Sequence, residues 1–197
     1  GAEGAIGGTL VGTYGTLTLN ADGQYSYVAT ASAVDGLAAG ITAVDVFTYT
    51  ITDGALSASA ELQITVTGVN DAPIALSDTN AVLENGSIDL AAGSSLLVDD
   101  SDIDGDALTV ASIRTGELAS TDGVDGTVGN TLTGTYGALT LNEDGSYSYS
   151  ATASAVDALA TGVTVEDVFT YTITDGLLSD SAELRVTVTG VNDAPVA

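Results

Sequence analysis

A long internal repeat constrains this chain of 197 residues more than any other feature of its sequence. Residues 12–75 and 134–197 align without gaps at an offset of 122 positions (134 − 12 = 122), and 50 of the 64 aligned residues are identical. A unit of about 122 residues has the size of a domain and is far longer than a solenoid repeat. Because residues 74–122 have no counterpart, the sequence predicts the C-terminal part of one repeat at 1–73 and a complete repeat at 74–197.

Each copy has the pattern of short β-strands joined by tight turns. Segments rich in Val, Ile, Thr and Tyr flank Asp-Gly dipeptides, which are typical of β-hairpins. The four dipeptides are Asp22-Gly23, Asp53-Gly54, Asp144-Gly145 and Asp175-Gly176. Further strands are expected at 81–83, 87–91 and 107–113, whereas the Ala-rich segment 29–40 is compatible with a short helix or a turn. The spacing predicts an all-β fold of two packed antiparallel sheets, an immunoglobulin-like or cadherin-like β-sandwich in tandem repeats.

The first copy lacks the segments that form the first strands of the second copy. We therefore expect it to have open sheet edges and an exposed core. One explanation is that the sequence is a piece of a longer array, since it begins with Gly rather than Met and shows no Sec signal peptide. The other explanation is that another chain supplies the missing strands.

Composition excludes several classes of function. The chain has 27 acidic and 2 basic residues, a formal net charge of −25, and no Cys, His or Lys. Disulfides, Cys/His zinc sites, His-dependent catalysis and P-loops are excluded. Nucleic acid is not expected as a partner, because phosphate contacts require clusters of Lys and Arg. Membrane insertion is not expected either, because no apolar run approaches the ~20 residues that cross a bilayer.

A dense acidic segment, 97–108, carries the strongest candidate chemistry. It contains five aspartates within eight residues: Asp99, Asp100, Asp102, Asp104 and Asp106. Carboxylates this close repel each other by about 1 kcal/mol per pair at 4 Å, even in water. Ca²⁺ takes six to eight hard oxygen ligands in flexible geometry and would relieve this repulsion. An EF-hand is excluded, because its closing Glu would fall on Ala111, and a solvated acidic turn remains the alternative.

The motif GVNDAP, at 68–73 and 190–195, follows the last strand of each copy. Alone it is typical of a turn-forming linker. However, strands of a sandwich alternate between two poles, so a turn and a linker far apart in sequence can meet. With this strand order, two groups of calcium ligands are expected at successive boundaries between repeats. The first group is Asp45, Asn70, Asp71, Asp102, Asp104 and Asp106, beside Asp100; the second is Glu84, Asp167, Asn192 and Asp193.

In combination, GTYGTLTLNADGQYSY, VFTYTITDG and TVTGVNDAP resemble the VCBS repeat, a cadherin-like module of very large bacterial surface proteins. The layout is also similar to the cadherin calcium scheme. GVNDAP stands in place of the Asn-Asp-rich linker, Glu84 in place of the base glutamate, and Asp102-Ile103-Asp104 in place of the Asp-x-Asp pair. The Asp-Arg-Glu motif of cadherins is absent, and Asp167 with Glu166 replaces it only in part.

The resemblance implies a non-catalytic, calcium-stiffened extender, or stalk, of an RTX-type adhesin that supports cell adhesion or biofilm formation. It implies an extracellular location, type I secretion and adjacent repeats of the same chain as partners. An alternative is a repeat or subunit of an extracellular filament or surface layer, completed by strand exchange between neighbouring copies in a fibre. A carbohydrate- or protein-binding tip is a further alternative. An enzyme is disfavoured, because the acidic residues lie in loops and no aromatic-lined cleft is evident.

Overall fold

The structure, a computed structural model, describes residues 4–30 and 32–194. Within these residues it contains fourteen strands, one short α-helix and two 3₁₀ turns, which confirms the predicted all-β fold. The chain forms two compact units. Unit 1 comprises the chain up to Asp71 together with Ile103–Gly105, and unit 2 comprises Ala72–Asp102 and the chain from Asp106 onward. No helix among the described residues is long and apolar enough to cross a membrane.

Unit 1 contains two small sheets. Its elements are β1 (Thr9–Val11), β2 (Thr16–Leu19), β3 (Tyr25–Val28), α1 (Ser32–Asp35), β4 (Thr42–Thr52) and β5 (Ser57–Thr67). Strands β1, β2 and β3 form an antiparallel sheet in that order, and β4 pairs with β5 in a long antiparallel hairpin. The Ala-rich segment therefore contains a single helical turn in this copy, whereas the second copy has only turns at 153–158.

Unit 2 is a complete sandwich. Its strands are β6 (Asp78–Leu83), β7 (Ser87–Leu90), β8 (Thr109–Thr115), β9 (Asp125–Gly126), β10 (Thr131–Thr133), β11 (Ala138–Leu141), β12 (Tyr147–Ser150), β13 (Thr164–Thr174) and β14 (Ser179–Thr189). One sheet has the order β6-β14-β13-β8-β9 and the other β10-β11-β12-β7. The 3₁₀ turns, Ala92–Ser94 and Leu96–Val98, follow β7. Strands β10 to β14 are the counterparts of β1 to β5, at the same offset of 122 residues.

The two sheets of unit 2 enclose one hydrophobic core. Alternate residues of β14 are buried (Ala182, Leu184, Val186 and Val188), as expected for a strand with one face on the core. The rings of Tyr149 and Phe169 pack edge to face across the interior, with centroids 6.3 Å apart. Side chains from both sheets belong to this core, so the predicted sandwich architecture is confirmed.

The Asp-Gly dipeptides all form turns in which glycine has positive φ: Gly23, Gly54, Gly145 and Gly176. One strand pairing differs from the prediction of antiparallel sheets. Strand β6 lies parallel to β14, with Asp78 opposite Leu184 and Leu83 opposite Thr189. The two strands run towards the same pole, so they can pair only in parallel. Their common pole is where the chain turns after Leu83 to enter the other sheet.

The path from β6 to the acidic loop brings distant residues together. After β6 the chain turns through Glu84–Gly86, continues as β7 and returns past the 3₁₀ turns. Ser101 then forms a bridge with Ile74, with N···O distances of 2.8 and 3.1 Å. The acidic segment therefore lies beside the residues that precede β6, as the alternation of strands between two poles predicts.

Candidate metal sites

The loop that follows the 3₁₀ turns gathers three carboxylates. Asp102, Asp104 and Asp106 each offer an oxygen, and all three oxygens lie within 4.8 Å of one another. Gly105, at φ 79°, provides the left-handed residue in this tight loop. Two oxygens bound to one Ca²⁺ at 2.3–2.6 Å are at most about 5 Å apart. The three carboxylates are therefore close enough to ligate a single ion.

The first GVNDAP motif is attached to this loop by a backbone hydrogen bond. The amide of Asp71 donates to Oδ2 of Asp104 at 2.8 Å. The side-chain Nδ2 of Asn70 in turn donates to the carbonyl of Asp71 at 2.9 Å. The structure thus brings Asn70 and Asp71 to the acidic loop, although they lie more than thirty positions from Asp104 in the sequence.

Asp100 lies apart from the three grouped carboxylates and secures the beginning of unit 2. Its Oδ1 accepts a hydrogen bond from the amide of Leu76 at 2.8 Å, and its Oδ2 is buried without a hydrogen-bond partner. Burial raises the pKa of this carboxyl, and the charges of Asp99 and Asp180 add to the effect. A cation near Oδ2 would favour its charged form.

A second acidic group beside Asp100 was missed by sequence reasoning. Asp78 accepts a hydrogen bond from the hydroxyl of Tyr171 at 2.8 Å, and the same hydroxyl is 2.7 Å from the carbonyl of Leu76. Burial raises the pKa of Asp78 to about 6, although the hydrogen bond from Tyr171 acts in the opposite direction and lowers it. Asp78 and Asp180 stand alone in the sequence, so no local pattern could have identified them.

At the opposite pole of unit 2, Glu84 is buried with only 4% of its surface exposed. Neither carboxylate oxygen accepts a hydrogen bond. Its backbone is fixed, because the amide of Glu84 donates to Thr189 O and that of Asn85 donates to Ala151 O. A buried carboxylate without partners is costly, and such groups are typically neutralised, paired or bound to a metal. This position therefore fits a cation ligand.

The second GVNDAP motif starts from the same pole. Thr189, which accepts the Glu84 amide, ends β14, and Asn192 and Asp193 follow three and four residues later. Both are exposed, and Asn192 Nδ2 donates to Asp193 O at 2.9 Å, the same local contact as in the first motif. Their side chains are thus near the end of the strand beside Glu84, while ligation by them stays a prediction.

Asp167, predicted as a ligand at the same boundary as Glu84, accepts hydrogen bonds from a nearby turn and a tyrosine. Its Oδ1 accepts the amide of Thr135 at 2.8 Å, and its Oδ2 accepts the amide of Tyr136 at 3.0 Å and the hydroxyl of Tyr149 at 2.7 Å. The residue is 3% exposed. These bonds attach the GTYG turn, 134–137, to β13. We call this arrangement the GTYG clamp.

Unit 1 repeats the clamp at Asp45. Its carboxylate accepts the amides of Thr13 and Tyr14 at 2.8 and 3.1 Å and the hydroxyl of Tyr27 at 2.7 Å. Burial disfavours the charged carboxylate, but the hydrogen bonds from Tyr27, Thr13, Tyr14 and Gly15 hold its pKa below the usual value. Burial and the same contact raise the pKa of Tyr27 to about 12. Asp45 and Asp167 thus each have hydrogen-bond partners in a GTYG turn and on a tyrosine, and calcium ligation by either of them stays a prediction.

The donor set at both poles consists of hard oxygens alone, from carboxylates, side-chain amides and backbone carbonyls. The chain has no Cys or His that could supply sulfur or nitrogen ligands. Such a set suits Ca²⁺ and does not suit Zn²⁺. The buried oxygens of Glu84 and the grouping of Asp102, Asp104 and Asp106 therefore fit a calcium ion.

Comparisons with known proteins agree with the all-β fold. The family profile of the bacterial cadherin-like domain matches residues 2–68 and 70–190. The calcium-binding lectin RapA2 of Rhizobium johnstonii is 31% identical over 194 residues, which span 92% of this chain and 74% of RapA2.

Two solved structures are also similar. A glycoside hydrolase family 107 endo-fucoidan hydrolase, MfFcnA4, aligns with a TM-score of 0.35 and 24% identity over 93% of this chain. The first three extracellular repeats of mouse protocadherin PcdhgC3 align with a TM-score of 0.43 and 15% identity over 93% of this chain. The chain spans about a quarter of the hydrolase (23%) and about half of the protocadherin chain (55%). Because the family profile covers nearly the whole sequence, the chain belongs to the bacterial cadherin-like domain family.

Proposed function

We propose that the chain is a calcium-stiffened section of the stalk of a large secreted bacterial surface adhesin, without catalytic activity. The observation that carries the proposal is the grouping of Asp102, Asp104 and Asp106 within 4.8 Å in one loop, to which Asp71 is hydrogen-bonded. Asn70, Asp71 and the three aspartates would hold the ion at one pole. Glu84, Asn192 and Asp193 would hold it at the other.

Calcium bound at these positions would limit the motion of one repeat against the next. It would also relieve the repulsion among the carboxylates of a chain with a net charge of −25. Extracellular calcium modules bind with dissociation constants of about 0.1–1 mM, so such sites fill outside the cell and not in the cytosol. This agrees with export by type I secretion and folding outside the cell, as in RTX-type adhesins that support adhesion and biofilm formation.

Calcium binding is tested on the full chain with a charge-matched pair of variants. In the first variant Asp102, Asp104 and Asp106 are replaced by Asn. In the second variant three exposed aspartates elsewhere, Asp35, Asp122 and Asp157, are also replaced by Asn, so both variants lose the same charge. Calcium at one hundred times its dissociation constant should add about 2.7 kcal/mol per site to the free energy of unfolding. We expect calorimetry to show a large loss of calcium affinity in the first variant alone. A melting temperature unchanged by EDTA in the native chain would contradict the proposal.

Stiffening is tested separately by small-angle X-ray scattering of the full chain with calcium and with excess EDTA. We expect a narrow distribution of interatomic distances in calcium and a broad one after chelation. If calcium binds but the scattering curve does not change, the proposed metal sites would stand and the proposed stiffening would be refuted. Calcium-driven growth into long polymers would favour the filament or surface-layer alternative.

Carbohydrate binding is a second candidate, because the relative that is 31% identical is a calcium-binding lectin. Acidic loops that hold calcium can coordinate sugar hydroxyls through the ion's remaining coordination positions. The test is binding to a panel of bacterial polysaccharides in calcium and in EDTA. Binding of the native chain to a polysaccharide in calcium, lost in EDTA and in the Asp102/Asp104/Asp106 variant, would support a lectin. Absence of binding to every polysaccharide in calcium would refute it.

A further inference from the structure

The turn between β6 and β7 contains a chemically labile dipeptide. Of the seven asparagines in the chain, Asn85 alone is followed by glycine. The main-chain nitrogen after an asparagine can attack the carbon of the side-chain amide, and glycine hinders this attack least because it has no side chain. Asn85 is exposed, so water can reach it. It is therefore the asparagine of this chain most suited to deamidation, the loss of the side-chain nitrogen as ammonia.

The fold itself uses both residues of this dipeptide. The amide of Gly86 donates to Leu83 O at 3.0 Å and closes the four-residue turn 83–86. Among the described residues only Asn85 combines a side chain with a positive φ, 60°. A positive φ at the third position alone is the pattern of a type II turn, which takes Gly or Asn there. A Cβ at Gly86 would lie 2.9 Å from Leu83 O, so glycine fits the fourth position.

The closed turn blocks the reaction. The third residue of a type II turn has ψ of about 0°, which directs the following nitrogen away from that residue's Cβ. The proton on the Gly86 nitrogen is also held by Leu83 O. Two more backbone hydrogen bonds fix the turn, from Asn85 N to Ala151 O at 2.8 Å and from Ala151 N to Gly86 O at 3.0 Å. Attack on the Asn85 side chain therefore requires the turn to open.

The buried carboxylate inside the turn favours opening. Glu84 is 4% exposed, and neither of its carboxylate oxygens accepts a hydrogen bond. A charged carboxylate in such a position gains hydration when the backbone around it opens, whereas a cation bound to it favours the closed turn. A slow reaction of the open form proceeds at a rate proportional to the open fraction. The state of Glu84 should therefore set the rate of reaction at Asn85.

We propose that Asn85 is a deamidation site that the turn 83–86 keeps closed and that the uncompensated charge of Glu84 opens; protection by calcium rests on the proposed function. In the open turn the Gly86 nitrogen loses its proton to a base in the solvent and attacks Cγ of Asn85. A C–N bond forms, and the side-chain nitrogen leaves as ammonia, which gives a succinimide ring. Water then opens the ring at either carbonyl and leaves aspartate or isoaspartate at position 85.

The modification changes this pole of unit 2 permanently. Both products add a negative charge beside Glu84, and isoaspartate lengthens the main chain of the turn by one carbon. The longer backbone cannot keep the hydrogen bonds to Leu83 and Ala151 in register, so the turn does not close again around Glu84. A stalk section that has been without calcium would thus lose the cation position at Glu84 irreversibly.

The test incubates the full chain at mildly alkaline pH in calcium and in EDTA. Peptic digestion at low pH, which stops ring closure, and mass spectrometry then follow the conversion of each asparagine. In EDTA we expect Asn85 to convert faster than Asn142, which is exposed and followed by Glu143. Calcium at about one hundred times its dissociation constant should slow Asn85 at least about tenfold, because binding to the closed turn alone lowers the open fraction by up to about a hundredfold.

A charge-matched pair of variants tests Glu84 without calcium. In EDTA, Glu84→Gln should convert Asn85 at least about fivefold more slowly than the native chain, because it removes the buried charge that opens the turn. Glu143→Gln removes the same charge at an exposed position and should leave the rate unchanged. In urea all three proteins should convert Asn85 at the same rate, because no turn is closed there. Circular dichroism verifies that both variants fold.

A third variant tests the consequence of the modification. Asn85→Gly keeps a residue that accepts positive φ and has no amide to lose. After long incubation in EDTA we expect the native chain to have a lower melting temperature than before, and Asn85→Gly to keep its own.

Three results would overturn the proposal. The first is equal conversion of Asn85 and Asn142 in EDTA, and the second is an equal rate at Asn85 in the native chain and in Glu84→Gln. The third is calcium that binds less tightly to Glu84→Gln by calorimetry and yet does not slow Asn85 in the native chain. If Glu84→Gln leaves calcium binding unchanged, the cation position proposed at Glu84 fails, and the comparison of the two proteins in EDTA alone decides whether Glu84 opens the turn.

Discussion

At the residue scale, the GTYG clamp explains why one tetrapeptide occurs in both copies. In unit 2 the turn 134–137 lies against Asp167 and Tyr149, and a side chain at either glycine would collide with them. A Cβ at Gly134 would lie 2.6 Å from Asp167 Oδ2, and one at Gly137 would meet the ring of Tyr149 and, at 2.6 Å, Ser150 O. The motif therefore preserves a close approach of backbone to side chain.

This geometry predicts a large effect for a small substitution. Gly137→Ala should lower the free energy of unfolding of unit 2 by about 2–4 kcal/mol, because Tyr149 is held by Asp167 and cannot move aside. The measurement is urea denaturation. Gly93→Ala is the control, since a Cβ there would meet no atom within 4 Å. Equal stability of the two variants would show that the turn can move away from the ring.

At the scale of elements, the hydroxyl of Tyr171 in β13 links that strand to the start of β6. Asp78, the first residue of β6, accepts a hydrogen bond from the hydroxyl of Tyr171. Burial, together with the charges of Asp99 and Asp100, opposes the ionisation of the Asp78 carboxyl. The parallel strand β6 therefore begins with a carboxyl whose pKa is raised to about 6. Its protonation is linked to the stability of unit 2.

The direction of this linkage can be tested. Because the pKa of Asp78 is higher in the folded protein than in the unfolded chain, its stabilising contribution is fully present below about pH 4 and is lost as pH rises through 6. Asp78→Asn keeps an acceptor for Tyr171 and removes the titration. We expect this variant to gain melting temperature relative to the native chain between pH 5 and pH 7, in EDTA. If the difference in melting temperature between the two proteins is the same at pH 5 and pH 7, the raised pKa of Asp78 would be contradicted.

At the scale of the whole molecule, negative charge is unevenly compensated. The two arginines, Arg114 and Arg185, both lie in unit 2. Arg185 forms ion pairs with Glu183 and Glu166 at 2.6 and 2.8 Å, whereas position 63, its counterpart in unit 1, is Gln63. The described part of unit 1 has no basic side chain, so nothing in it offsets its carboxylates.

The charge imbalance predicts a response to salt that does not involve calcium. Raising NaCl from about 10 to 150 mM shortens the Debye length from about 30 to 8 Å and screens the repulsion among 27 acidic residues. The melting temperature in EDTA should therefore rise with NaCl, and calcium at equal ionic strength should raise it further. A melting temperature that is flat or falls with NaCl would show that self-repulsion is not a significant cost to the folded state.

The sequence by itself determined the features that depend on neighbours along the chain. The repeat, the hairpins with their Asp-Gly turns and the acidic loop follow from local pattern, since Asp102, Asp104 and Asp106 are two residues apart and any tight turn brings them together. The tertiary structure decided the rest. The contacts of Asp71 with Asp104, of Tyr171 with Asp78 and of Thr135 with Asp167 join residues 32 to 93 positions apart. The amide of the buried Glu84 donates to Thr189 O, 105 positions further along the chain (189 − 84 = 105). Such contacts follow from which strands pair and in which direction, and local residue patterns do not encode that pairing.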